Sequence, residues 1–174
     1  DEMREVLREL EDELRKIKER LKRVLDRSRE LLEEWREELE RVHRRNEETL
    51  RRIEKNGLSE EVLREADELN KELKREADEL LDTYRRLLEE SEKEAREIIK
   101  TVEELVKRLR EELRDTKTDE EIKRRAEDIL RELRRLVEEL ERRNEEINRR
   151  LAKRIKELME KIRREDERLK KEVE

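Results

Sequence analysis

Three long stretches of this chain carry apolar residues at steps of three and four, and only two short breaks separate them. The first stripe runs Met3, Leu7, Leu10, Leu14, Ile17, Leu21, Val24, Leu31, Trp35, Leu39, Val42, Leu50 and Ile53. The second passes through Val62, Ala66, Leu69, Leu73, Ala77, Leu80, Leu87, Ala95, Ile98, Val102, Leu105, Leu109 and Leu113, and the third from Ile122 through Leu133, Leu140, Leu151 and Ile162 to Val173. Such spacing keeps one face of an α-helix apolar, and disordered chains of mixed charge do not sustain it for fifty residues. Composition agrees: 61% of positions are charged and 30% are hydrophobic. That is about two apolar residues per heptad, enough for a helical seam and too few for a two-sided α/β core.

The breaks have turn chemistry. In Lys55-Asn56-Gly57-Leu58-Ser59, Gly57 suits a left-handed position after a helix, Ser59 suits the N-cap of the next, and Leu58 with Leu63 forms a hydrophobic staple. At Asp115-Thr116-Lys117-Thr118, Thr118 followed by Glu121 reads as a capping box. The pattern therefore predicts helices over 2–55, 60–114 and 119–173. Each would be about 80 Å long at ~1.5 Å per residue. Loops of a few residues, spanning at most ~3.6 Å each, cannot return the chain along that length, so successive helices must be antiparallel neighbours. The expected fold is one all-α, up-down-up three-helix bundle. The apolar period, about 3.57 on the first helix and about 3.64 on the third, straddles the 3.6 of a straight helix and predicts nearly straight, coiled-coil-like helices.

Charge is distributed as helix support. Acids open the helices (Asp1, Glu2; Glu60, Glu61; Asp119, Glu120, Glu121) and bases close the first two (Arg51, Arg52, Lys55; Arg108, Arg110, Arg114), which complements the macrodipole. Pairs such as Glu47/Arg51, Glu48/Arg52 and Glu120/Arg124 stand acid-before-base at i,i+4. With 50 basic and 56 acidic residues interleaved, no basic stripe is set out for nucleic acid. No apolar run approaches a membrane span, and Asp1-Glu2-Met3-Arg4 does not have the form of a signal peptide. A soluble chain is expected, and no localisation is assigned.

Polar residues fall on the stripes, and their heights can be compared. With the first turn centred near 57.5 and the second near 116.5, residue 46 is level with 69 and 164, and residue 28 with 87 and 146. Ser28, Tyr84, Ser91, Asn144 and Asn148 then gather at one level. His43, Asn46, Thr49, Asn70 and Asp166 gather at another, with Glu165 as an alternative to Asp166. An unpartnered buried polar group costs roughly 1–3 kcal/mol, so matched heights imply hydrogen-bonded networks that select register and helix order. The other reading places several of them at the stripe edge, in contact with water. Trp35, level with 80 and 153, is read as packing, with Ala152 making room for the indole.

Chemistry-bearing constellations are sparse. There is no Cys, and His43 is the one histidine; Glu40-Arg41-Val42-His43 has Glu-x-x-His spacing, but a di-iron carboxylate site needs a second such pair and two further glutamates. A seam this narrow leaves no substrate pocket beside Ser28 or Ser91. No catalytic residue, metal, cofactor, small-molecule substrate or nucleic-acid partner is expected.

Equal helices, Ser59 and Thr118 caps, Gly57 at the break, Glu/Lys/Arg surfaces, a Leu/Ile/Val seam and polar residues at matched heights together resemble computationally designed helical bundles with buried hydrogen-bond networks. The resemblance spans the whole chain. It implies a monomeric structural scaffold without natural biochemical activity. Spectrin-type repeats share the up-down-up topology but use shorter helices and aromatic cores, and this chain has no Phe and one Trp. Doublets such as Val6/Leu7, Val24/Leu25 and Leu105/Val106 leave a second expectation open: an interaction module that self-associates or takes a partner helix in an apolar groove.

Overall fold

The computed structural model describes residues 2–57, 59–112 and 119–173. They form α1 (Glu2–Lys55), α2 (Glu60–Glu112) and α3 (Asp119–Val173), which pack against one another with no strand among the described residues. The predicted boundaries hold to within two residues where they can be compared. Leu58, the Asp115–Thr118 turn and the Thr118 cap lie outside the described residues.

The first turn is built as its residues dictate. The Asn56 amide donates back to the Arg52 and Ile53 carbonyls at 3.2 and 3.1 Å, and Gly57 follows with φ of 81°, a conformation in which a Cβ would be strained. Ser59 caps α2: its Oγ accepts from the Val62 amide at 3.4 Å, and its carbonyl accepts the first helical bond, from Leu63, at 3.2 Å. Arg52 and Lys55 close α1 and Glu60 and Glu61 open α2, each beside the helix pole of opposite sign.

Contacts divide the chain into two compact units, each drawing a segment from all three helices. Unit one comprises residues 1–28 and 88–146, and unit two comprises 29–87 and 147–174. The apolar contacts fall into separate clusters, one in unit one and two in unit two. Unit one holds Leu10, Leu21, Ile122, Leu133 and Leu140, all nearly or fully buried, with Ala95, Val102 and Leu109 from α2. Unit two holds a larger cluster around Leu39, Leu151, Ile155 and Ile162 and a smaller one of Ile53, Ala66 and Leu169, with Leu50 and Leu63 packed against it.

Helix direction in unit one is recorded by ion pairs. Glu11 pairs with Arg110 and Lys18 with Glu103, so seven positions forward on α1 match seven backward on α2. Glu13 pairs with Arg134 and Arg20 with Glu141, so the same seven positions run forward on α3. Up-down-up is thus written into the rim.

Two local expectations are corrected. Of the doublets, Leu7 and Val106 are buried while Val6, Val24 and Leu25 are half-buried and Leu105 is exposed, and beside Leu87 of the second stripe it is Leu88 that is buried. Three-and-four spacing fits either neighbour, and only packing against the other helices chooses. Among the described ion pairs, the acid-before-base contacts at i,i+4 are Glu40–Arg44, Asp67–Lys71, Asp82–Arg86, Glu160–Arg164 and Asp166–Lys170. Glu47/Arg51 and Glu48/Arg52 are not among them: exposed Arg side chains have several rotamers of similar energy, and spacing alone does not select the paired one.

Candidate functional site

The polar residues inside the seams are the unusual chemistry of this chain. Ser28, His43, Asn46, Thr49, Asn70, Ser91 and Asn144 are all buried. Tyr84 is buried too, within the larger apolar cluster of unit two. Asn148 is half-buried, at the stripe edge.

In unit one, Asn144 donates from Nδ2 to Ser28 Oγ at 2.6 Å, joining α3 to α1. The Ser28 hydroxyl donates onward to the Val24 carbonyl at 3.1 Å, one turn back on its own helix. Both hydroxyl functions are thereby used, and the buried amide has an acceptor. Ser91 is buried at the α2 end of the same unit. Asn144 lies two residues from the height expected for Ser28, well within a helical turn.

In unit two, Asn46 donates from Nδ2 to Asn70 Oδ1 at 2.7 Å, joining α1 to α2. Asn46 is 1% exposed, so this bond replaces water almost completely. Asn70 is one residue from the height expected for Asn46. The wider network read from the sequence is not formed at this level. Thr49 donates to its own helix, at the Arg45 carbonyl 3.0 Å away, because a β-hydroxyl in a helix always has the i−4 carbonyl within reach. Asp166 is half-buried and its Oδ2 stands 3.3 Å from Lys170 Nζ, also on its own helix, while Oδ1 is buried without a hydrogen bond. Asn46 Oδ1 is likewise buried and unpartnered.

His43 lies beside this amide pair. The ring is 7% exposed and neither nitrogen makes a hydrogen bond of good geometry, although Asn70 is close enough to favour the charged ring. Burial is the larger influence and holds the imidazole below its ordinary value of 6.5. Lys74 works in the same direction, and Asn70, Asp78 and Glu47 oppose it. His43 also lines a groove between α1 and α2 with Leu39, Ala77, Asp78 and Leu81. A second depression on these helices is lined by Leu50, Leu63, Asn70 and charged residues. Trp35, read as a packing residue, is partly buried against the larger unit-two cluster together with Leu80.

Sequence reasoning missed the ion pairs that join helices in unit one. The most enclosed acid among them is Glu141, with its side chain 18% exposed: Arg20 Nε stands 2.6 Å from its Oε1, and Nη2 donates to its Oε2 at 2.9 Å. Arg143 meets Glu94 at 2.5 Å, and Arg125 meets Glu112. Comparison of heights, applied to charged residues as it was to polar ones, would have brought Arg20 and Glu141 within a turn of level, but it leaves Glu11 with Arg110 and Lys18 with Glu103 more than a turn apart.

Among the described residues, no group of three or more His, Cys, Asp or Glu side chains is placed to hold a metal ion, and no helix is long and apolar enough to cross a membrane. No protein-family model matches the chain, and neither a curated protein nor a solved structure matches it significantly.

Proposed function

We propose that this chain is a structural scaffold of the de novo designed kind, whose built-in task is to adopt one uniquely registered three-helix state as a monomer. The observation that carries this reading is the pair of buried bonds, Asn144 to Ser28 and Asn46 to Asn70, each within two residues of the height that matched helices require. Sliding α1 by a heptad would still match Leu to Leu, but it would strand both amides in apolar surroundings at roughly 1–3 kcal/mol each, and sliding α2 or α3 would strand one. Caps at Ser59, the left-handed Gly57 and the helix-end charges support the same reading, since each local choice agrees with the global fold. Light scattering on a size-exclusion column tests it. A mass of 21.8 kDa is expected; a multiple of that mass refutes the monomer.

A second reading, an interaction module that takes a partner helix, is favoured by one observation. The depression between α1 and α2 of unit two is lined by half-buried Leu50 and Leu63. Against it, Leu105 is the one large hydrophobic side chain that is exposed among the described residues. A dye that fluoresces on open apolar surface separates the two: strong binding by the purified chain supports the module, and no binding supports the scaffold.

A further inference from the structure

A neutral imidazole offers one donor and one acceptor, and a protonated one offers two donors. At His43 both nitrogens are buried and neither makes a hydrogen bond of good geometry, Asn70 standing close by, so the neutral ring is poorly partnered and the charged ring would be more so. The charges facing it come from two helices: Glu47 on α1, and Lys74 and Asp78 on α2, with Arg36, Glu40 and Arg44 of α1 along the same groove. From α3, Met159 and Ile162 belong to the apolar cluster of this unit, and no α3 charge acts on the ring. Next to the ring stands the Asn46–Asn70 bond between α1 and α2.

We propose that His43 is a pH-operated latch of unit two. Neutral, the ring stays in the core and covers the Asn46–Asn70 bond; protonated, it moves into the groove toward Glu47 and Asp78, and the uncovered amide pair opens to water. The proton is taken from solvent at the groove and no covalent step is involved. This goes beyond the scaffold reading and does not depend on it, because the latch requires only the buried ring and the groove.

The direction with pH follows from burial. Well above 6.5 neither the folded nor the unfolded chain protonates the ring, so nothing is lost. Below 6.5 the unfolded chain takes up a proton that the folded unit resists, and stability falls until the pH passes below the folded ring's own value. One proton sets the limit, so the folding constant drops by up to about eightfold between pH 7 and 5.5.

Nuclear magnetic resonance on the intact chain tests this directly, since one histidine gives one ring titration. Expected are a ring midpoint below 6.5, side-chain amide signals of Asn46 and Asn70 that shift or broaden along the same curve, and a loss of denaturant stability at pH 5.5 that His43→Leu lacks. A ring midpoint at or above 6.5, amide signals that stay put while the ring titrates, or an equal loss in His43→Leu overturns the latch. Should His43→Leu fail to fold, the ring and amide titrations of the parent chain decide alone.

Discussion

The two compact units use the same three helices and differ in how their apolar cores are divided around a buried amide bond. In unit one the core residues from Leu7 to Leu140 are apolar apart from Ser28, Ser91 and Asn144, and ion pairs at the rim join all three helix pairs. In unit two the pairs Glu33–Arg36, Asp67–Lys71 and Glu165–Arg168 run within single helices, His43, Asn46, Thr49 and Asn70 are buried, and the apolar residues fall into two clusters. An exposed ion pair is worth roughly 0.2–1 kcal/mol and tolerates a shifted partner. A buried amide is satisfied in one geometry and costs roughly 1–3 kcal/mol in any other. Both units hold one such bond, Asn144 to Ser28 and Asn46 to Asn70, but unit one sets it beside a continuous apolar core and unit two between two smaller clusters, so unit one gains more from packing.

Cavity mutations give the largest test of that contrast. Leu133 is 0% exposed in the continuous core of unit one, and Leu169 is 0% exposed in the small cluster of unit two. Truncating a buried Leu to Ala costs about 2–5 kcal/mol, depending on how far the site can collapse. Leu133→Ala should fall in the upper part of that range. Leu169→Ala, whose cluster among the described residues holds Ile53, Ala66, Leu50 and Leu63, should fall at the lower end. Urea unfolding of both variants measures the difference, and equal or reversed costs would break the comparison.

Next in size is the buried amide pair. Asn46→Leu alone leaves Asn70 Oδ1 without its donor and should cost about 1–3 kcal/mol. Asn46→Leu with Asn70→Leu removes both halves, and its stability should return to the parent's or exceed it, while a single register or a single mass is lost. A double-mutant cycle of unfolding free energies, with light scattering on the double variant, reads both effects. If the double variant is as unstable as the single one, something other than the amide pair depends on these positions; Asp166 Oδ1, buried and without a hydrogen bond, is the first residue to examine.

What was legible in the sequence is what period and spacing control. The three helices, the turn at Gly57, the cap at Ser59 and the heights of Asn46 with Asn70 and of Ser28 with Asn144 all follow from repeats of 3.6 and from a chain too short to return except by folding back. Choices among near-equal neighbours were not legible. Val106 rather than Leu105 is buried, Thr49 satisfies itself on Arg45, and Asp166 pairs with Lys170 on its own helix. In each case a local partner competes with a distant one at similar spacing, and rotation of the helix by a fraction of a turn decides.

The smallest effect separates the two kinds of register mark by their response to salt. Arg20 meets Glu141 across α1 and α3, its Nη2 donating to Oε2, whereas Arg36 in unit two meets Glu33 one turn back on its own helix. Arg20→Gln should cost about 0.2–1 kcal/mol at low ionic strength, and the cost should vanish near 1 M salt, where the screening length falls to about 3 Å. Arg36→Gln should cost less, since an i,i+3 pair fixes nothing beyond its own helix. The penalty of Asn46→Leu should be the same at both salt concentrations, because screening ions do not reach a side chain that is 1% exposed. A salt-insensitive Arg20 penalty would mean that Glu141, 18% exposed, behaves as a buried partner and adds to the buried Asn144–Ser28 bond as a register mark of unit one.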